Sequence, residues 1–289
     1  MNFSEKIRSG GFVLTSEIGP PKGIETARLL EDAELVRKRV DAINVTDLQS
    51  SVMRLGSLAV CSLLKQKGFD PIFQVTCRDR NRLALQSDIL SAAALGITNI
   101  LALTGDYPTL GDHPEAKPVF DLDSAQLLEV IRKLQSGTDM KGNKLDGQSP
   151  KFCVGAVVNP GADPIEPQIM KMEKKIAAGA EFFQTQAIYD IKIFENFLSK
   201  VKHLKVPILA GIVLLKSAGM AKFMNKNVAG VSVPENLIKE METTKDKTAQ
   251  SVDIAARLIK ELKPMCQGIH IMPIGWDKVV PRVLDAAGL

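Results

Sequence analysis

Glu17 follows the apolar run Phe12-Val13-Leu14 in the stretch Thr15-Ser16-Glu17-Ile18-Gly19-Pro20-Pro21, and Asp106 follows a second run, Leu101-Ala102-Leu103-Thr104-Gly105. A carboxyl group partly withdrawn from water favours its protonated form, which suits a general acid working near neutral pH. The plainer reading of either residue is a structural ion pair, with Lys22 or Arg78 as partner. Gly19-Pro20-Pro21 argues for the acid at Glu17. Proline presets φ and restricts the residue before it, so the chain leaves the carboxylate by a rigid exit.

Other strand-like runs carry polar residues toward the same end. Strand residues alternate in direction, so each run divides into two faces. Val13, Thr15 and Glu17 share one face of the first run, Asn44 and Thr46 one of the second, and Gln74 and Thr76 one of the third. In the fourth run Ala102, Thr104 and Asp106 alternate with Leu101, Leu103 and Gly105, and the polar set is expected to point inward. The fifth run ends at Asn159, and Phe182, Gln184 and Gln186 share a face of the sixth. Buried without partners, such groups would cost about 1–3 kcal/mol each. Any one of them could be satisfied by a neighbour or a water, but agreement among six runs points to a polar ligand that satisfies them together.

The runs that must position these groups are 12–18, 42–47, 71–77, 99–106, 152–159, 182–189, 207–215 and 268–275. Between them lie amphipathic segments such as 26–40 and 165–180, with apolar residues at three- and four-residue spacing. Eight strand–helix units in 289 residues predict an α/β fold, a (β/α)8 barrel forming a single domain over 1–289. The competitor is a doubly wound sheet, whose GxGxxG fingerprint is absent. In a barrel, inward polar groups at the C-terminal strand ends form the mouth where chemistry is placed. The polar stretch 136–151 reads as an exposed loop on the opposite face. The segment 216–264, after the seventh strand, has room for two or three extra helices over the mouth's rim.

Composition narrows the function classes. The chain has 37 basic and 33 acidic residues, a net charge of +4 and no run of like charges, which argues against nucleic acid as a partner. No apolar segment is long enough for a bilayer, and the start, Met1-Asn2-Phe3-Ser4-Glu5-Lys6, lacks a signal peptide's apolar stretch. Cys61, Cys77, Cys153 and Cys266 form no CxxC pair and read as reduced thiols of a cytoplasmic protein. His113, His203 and His270 are too scattered for a metal site, and none is expected.

On these residues the sequence resembles the methylenetetrahydrofolate reductase family over essentially its whole length. The resemblance is carried by Ser16–Gly23 (SEIGPPKG), Asn44–Asp47 (NVTD), Val75–Asn81 (VTCRDRN), Leu101–Pro108 (LALTGDYP), Asn159–Pro164 (NPGADP) and Lys171–Gln186 (KMEKKIAAGAEFFQTQ). It implies a barrel with a flavin at its mouth, FAD or alternatively FMN. The implied reaction is reduction of 5,10-methylenetetrahydrofolate to 5-methyltetrahydrofolate, with hydride from the reduced flavin. By position, Glu17 matches the general acid that opens the folate's imidazolidine ring, and Asp106 the carboxylate that contacts the pterin beside the flavin. Gln186 matches an amide on the folate, and Phe223 an aromatic substrate contact. The implied flavin contacts are Thr46, Gln74, Thr104, Gly105, Asp106, Asn159, Lys174 and Lys175, the lysines reaching the phosphate. The plainer reading of the two lysines is a solvated helix face.

Thr104 stands where common bacterial members carry arginine, Asn159 where they carry histidine, and Ala187 and Ile188 where they carry phenylalanines. These departures resemble the short reductases of acetogenic and related anaerobes, some of which work with a metal-containing partner subunit. The electron donor implied is NAD(P)H, used directly or through such a partner, and an oligomer is expected. The alternative is a pterin-binding barrel subunit of a larger one-carbon complex, transferring a methyl group or acting without NAD(P)H oxidation of its own.

Overall fold

Runs rich in valine, isoleucine, phenylalanine and alanine form strands that can be covered on both faces, as a parallel sheet requires. The computed structural model describes residues 1–289. Its eight strands are β1 Val13–Ile18, β2 Ala42–Val45, β3 Pro71–Thr76, β4 Asn99–Leu103, β5 Cys153–Val158, β6 Phe182–Ala187, β7 Ile208–Val213 and β8 Gly268–Met272. They pair in parallel and in chain order, and β8 closes on β1 with His270 opposite Thr15. The fold is the (β/α)8 barrel that the spacing predicts.

Eleven α-helices accompany the strands: α1 Phe3–Arg8, α2 Ala27–Glu34, α3 Ser57–Gln66, α4 Arg82–Ala94, α5 Ser124–Gln135, α6 Glu166–Ala178, α7 Ile191–Val201, α8 Ala218–Asn227, α9 Glu235–Thr243, α10 Lys247–Leu262 and α11 Val280–Ala287. Three of them, α8 to α10, lie between β7 and β8, within the segment expected to hold two or three. The chain just beyond α8 reaches the loop after β5, where Asn159 Nδ2 donates to Ala229 O at 2.8 Å. The stretch 136–151 lies between α5 and β5 and is largely exposed, with a single isolated bridge from Thr138 to Lys144.

Two apolar cores result. The larger lies between strands and helices, and the smaller fills the lower lumen with Val13, Ala42, Ile72, Leu101, Phe182 and Leu209. Helix α1 closes this lumen from below, an arrangement the charged N-terminal sequence does not announce. Phe3 and Ile7 join the inner core, and Phe3 meets Phe182 edge-on at 5.3 Å. Asn2 and Glu5 form a capping box at the start of α1, while Phe3 N donates to Asp70 Oδ2 at 3.1 Å. Gly155 makes room for the Phe182 ring, since a Cβ there would stand 2.2 Å from it.

Side-chain direction differs from expectation on β4. The strand ends at Leu103, and Leu101 and Leu103 take the lumen side. Thr104 therefore takes the other side and is exposed, with its hydroxyl on Ser124 of α5, while Asp106, past the strand's end, is exposed at the rim of the mouth. At Gly105 the backbone turns with φ +96, and a Cβ would crowd Arg78 and Thr76 at 3.0 and 3.2 Å. No helix is long and apolar enough to cross a membrane. All four cysteines are buried free thiols, and burial pushes those of Cys77 and Cys153 up to about 12.

Candidate active site

The C-terminal end of the barrel opens into a cavity of about 330 Å³ whose polar wall includes Glu17, Thr46, Gln74, Asp106, Gln186 and His270. A second cleft of about 410 Å³ adjoins it, walled by Asn159, Lys171, Lys174 and Lys175 among others. The two share Thr104, Ser124, Val157, Lys175 and Gln186. A larger groove, about 1060 Å³, lies at the opposite end among Ile7, Leu198, Pro207 and Met265. It gathers none of the expected site residues.

Glu17 is 8% exposed and enters the lumen from the last turn of β1's inward face. Its Oε2 accepts from Gln74 Nε2 at 3.1 Å, and its Oε1 accepts from Gln49 Nε2 at 3.1 Å. His270 Nε2 lies 3.8 Å from Oε2. Neither of the ion pairs considered for Glu17 forms, because Lys22 pairs with Asp112 and Arg78 with Asp79. Below Glu17 sits a polar layer in which Asn44 and Gln184 exchange amide hydrogen bonds and Thr15 Oγ1 meets His270 Nδ1 at 2.9 Å. This layer rests on the inner apolar core.

Gln49 reaches Glu17 through an unusual backbone. Leu48, Ser50 and Ser51 have φ of 47, 55 and 58, a region sparsely populated by residues other than glycine. Arg78, only 2% exposed, holds this turn in place. Its guanidinium donates to Ser51 Oγ, to the carbonyls of Leu48 and Asp106, and to the Asp79 carboxylate. The loops after β2, β3 and β4 are thereby tied to one side chain. Asp47 adds a second tie by accepting from the backbone and hydroxyl of Thr76, both at 2.9 Å, and from Arg80.

Gln186 owes its position to a break in pairing. The register of β6 against β7 shifts between Gln184 and Ala187. There Thr185 Oγ1 accepts from Gly211 N at 2.9 Å and donates to Gln186 O at 2.7 Å. Such irregularities re-aim a side chain, and Gln186 is exposed at the mouth between buried Thr185 and Ala187. Ala187 and Ile188 pack into the outer core instead.

The walls combine lysines suited to an anionic group with polar side chains short of partners. Thr46 Oγ1 is buried at the mouth with no hydrogen-bond partner. Lys175 Nζ donates to Val157 O at 2.8 Å, and burial, with Lys171 nearby, brings its ammonium down to about 8. Lys174 is exposed beside it in the same cleft. Thr104 Oγ1 donates to Ser124 Oγ at 3.1 Å. Asp106 stands at the rim with its carboxylate free of protein hydrogen bonds, held through its backbone. Phe223 is 61% exposed on α8 and lines neither cavity.

Sequence reasoning thus gave no site role to His270, Gln49 or Asp47, and weighed Arg78 only as an ion-pair partner. Only His270 carried a readable signal, the alternation Gly268-His270-Met272 on the last strand. The other three act through partners far away in the chain or through irregular backbone.

A closed barrel with polar side chains gathered at its C-terminal mouth defines a (β/α)8 protein built to hold a polar ligand there. The chain belongs to the methylenetetrahydrofolate reductase family, matching the family described as Methylenetetrahydrofolate reductase over residues 2–288. It is similar to methylenetetrahydrofolate reductase 2 of Schizosaccharomyces pombe, 26% identical over 317 residues, which cover 99% of this chain and 47% of that protein. It is also similar to the probable methylenetetrahydrofolate reductase (NADPH) of Caenorhabditis elegans, 24% identical over 259 residues, 86% of this chain and 36% of that protein. The chain spans about half or less of the length of these two relatives. Among solved structures, it resembles an uncharacterised protein from Clostridium thermocellum that binds two copies of 5-methyl-5,6,7,8-tetrahydrofolic acid. That likeness has a TM-score of 0.66 at 17% identity and covers 98% of this chain and 96% of the other, which shows a shared fold.

Proposed function

We propose that this chain reduces 5,10-methylenetetrahydrofolate to 5-methyltetrahydrofolate with a flavin bound at the barrel mouth. The observation that carries this reading is Glu17, a buried carboxyl group facing the cavity and aligned by two amides. Glu17 gives its proton to a nitrogen of the substrate's five-membered ring, so that the O–H bond breaks, an N–H bond forms and the ring opens to an iminium cation. Asp106, at the rim, offers negative charge to that cation, and Gln186 holds the pterin through its amide. The flavin, when bound, supplies the hydride.

Lys174 and Lys175 would hold the flavin phosphate, with Asn159, Thr104 and Gly105 lining the path from cleft to mouth. Thr46 Oγ1 and the Gln74 amide would meet the polar part of the flavin. FAD suits the cleft with its cluster of lysines, and FMN is the alternative. Electrons come from NAD(P)H, directly or through a metal-containing partner subunit, and the working form is an oligomer. Four buried free thiols suit a reducing compartment, the cytoplasm. Phe223 would reach a bound folate only from the rim.

One observation favours a second reading. The mouth cavity is lined by no phenylalanine, tyrosine or tryptophan, so it offers a flavin and a pterin no aromatic surface for stacking. A pterin-binding barrel subunit of a larger one-carbon complex, transferring a methyl group without flavin, would have less need of one. The deciding experiment releases and identifies the flavin of the purified protein, then follows its bleaching by NADH or NADPH and its recovery on adding 5,10-methylenetetrahydrofolate. A colourless protein that binds folate but takes up neither FAD nor FMN overturns the reductase in favour of the second reading.

A further inference from the structure

The polar layer beneath Glu17 has a direction. Asn44 Nδ2 donates to Gln184 Oε1 at 2.8 Å, and Gln184 Nε2 donates back to Asn44 Oδ1 at 3.1 Å. The reciprocal pair locks the two amides to each other, and in the orientation observed Gln184 presents its Nε2 hydrogens toward Thr15. Gln184 Nε2 also faces Thr15 Oγ1 at 3.4 Å, so the Thr15 oxygen takes a hydrogen there and its own hydrogen is free to go elsewhere. The acceptor that the hydroxyl meets is His270 Nδ1, 2.9 Å away. Nδ1 is then an acceptor, and a neutral imidazole must carry its proton on Nε2. Nε2 is the atom that faces Glu17 Oε2 at 3.8 Å.

We infer that His270 is a positioning residue for Glu17: a neutral imidazole, locked by Thr15 with its proton on Nε2, that donates toward Glu17 Oε2 as charge develops there. The inference rests on the reading of Glu17 as the acid. When that residue releases its proton, a carboxylate is left in a buried site, and a donor already aimed at it lowers the barrier without reorganisation. Gln74 and Gln49 supply two such donors, and His270 supplies the third. At 3.8 Å the contact is long for a hydrogen bond, as catalytic contacts often are before substrate binds. Thr15, Asn44 and Gln184 then serve to set one imidazole tautomer, which explains why a reciprocal amide pair occupies the middle of the lumen.

The tautomer is measurable without turnover. The chain has three histidines, and His113 and His203 are exposed, so ¹⁵N-histidine labelling with His270→Gln as the assignment control isolates the buried ring. The expected ¹⁵N shifts are those of a neutral Nε2–H imidazole, and Thr15→Val should blur them toward a tautomer mixture. In dithionite-reduced, flavin-loaded protein, His270→Phe should slow single-turnover oxidation by 5,10-methylenetetrahydrofolate about tenfold, less than the roughly 10²–10³-fold cost of removing a direct oxyanion donor. Half-saturation for folate should stay within about twofold. His270→Gln, whose amide can accept from Thr15 and donate to Glu17, should recover most of the rate. An Nδ1–H tautomer in the wild type, or equal losses in the Phe and Gln variants, would overturn the inference. Full activity of Glu17→Gln would instead overturn the acid assignment, and the tautomer measurement tells the two failures apart.

Discussion

Gln74 Nε2 donates to Glu17 Oε2 at 3.1 Å although the two residues stand on β3 and β1, with β2 between them. The bond bridges over β2 on the inner wall, so the orientation of Glu17 depends on a residue two strands away.

Glu17→Gln keeps the side chain's size and removes its proton. The variant should retain flavin and bind folate, while folate-dependent oxidation of the reduced protein falls by on the order of 10²–10⁴-fold. Stopped-flow absorbance at the flavin band reads this directly. A rate near that of the wild type would remove Glu17 from the proton transfer.

Lys175 gives a pH dependence with opposite signs for stability and binding. Burial, then Lys171, lowers its ammonium from 10.5 to about 8. Between those two values the unfolded chain holds a proton that the folded chain has lost, so stability rises with pH across that window. Below about 8 the lysine is charged in both states and its burial penalty is fully present. Anion binding runs the other way, because the charge that attracts a phosphate fades above about 8. Apo-protein titrated with FAD should weaken by up to about tenfold per pH unit there, the limit for one linked proton. Lys175→Met should flatten that slope, bind FAD more weakly at neutral pH, and melt at a higher temperature than the wild type at pH values below about 8.

Gly155→Ala tests the inner core. The added methyl would meet the Phe182 ring, which is packed in turn against Phe3 of α1. Overpacking of this kind costs about 1–3 kcal/mol, visible as a lower denaturation midpoint. Amides of α1 should lose hydrogen-exchange protection as Phe182 shifts. A midpoint equal to the wild type's would show that the lumen can yield.

Arg78→Met removes the donors that tie three loops together while keeping much of the side chain's apolar bulk. The prediction is faster proteolytic cleavage within residues 104–122 and weaker flavin binding, with the barrel's circular dichroism retained. Cleavage at the wild-type rate would show that Asp47 and Arg80 hold the loops without it.

The barrel was legible because eight apolar runs separated by amphipathic segments leave few other ways to cover both faces of a sheet. Glu17, Gln74 and Gln184 were legible too, since alternation along a regular strand fixes direction. Alternation failed on β4, where the strand stops at Leu103 and Gly105 turns the backbone before Asp106. It could not show that Gln186 depends on a register break, or that Gln49 is held by left-handed residues and a buried arginine. Phe223 was placed by resemblance within a helical segment, and a helix after β7 leaves that ring on the surface. What a strand period encodes can be read from sequence, whereas contacts between distant loops require the closed barrel.

The seal that Phe3 and Ile7 make across the bottom of the lumen gives the molecule one doorway. Anything that enters the inner chamber must leave by the route it took. On the reductase reading proposed above, a donor and a folate that both need the spot beside Glu17 would take turns, and each one's departure would gate the next one's arrival. Traffic through a single entrance would then be part of that reaction's rate, and crowding by one visitor should be visible as inhibition of the other.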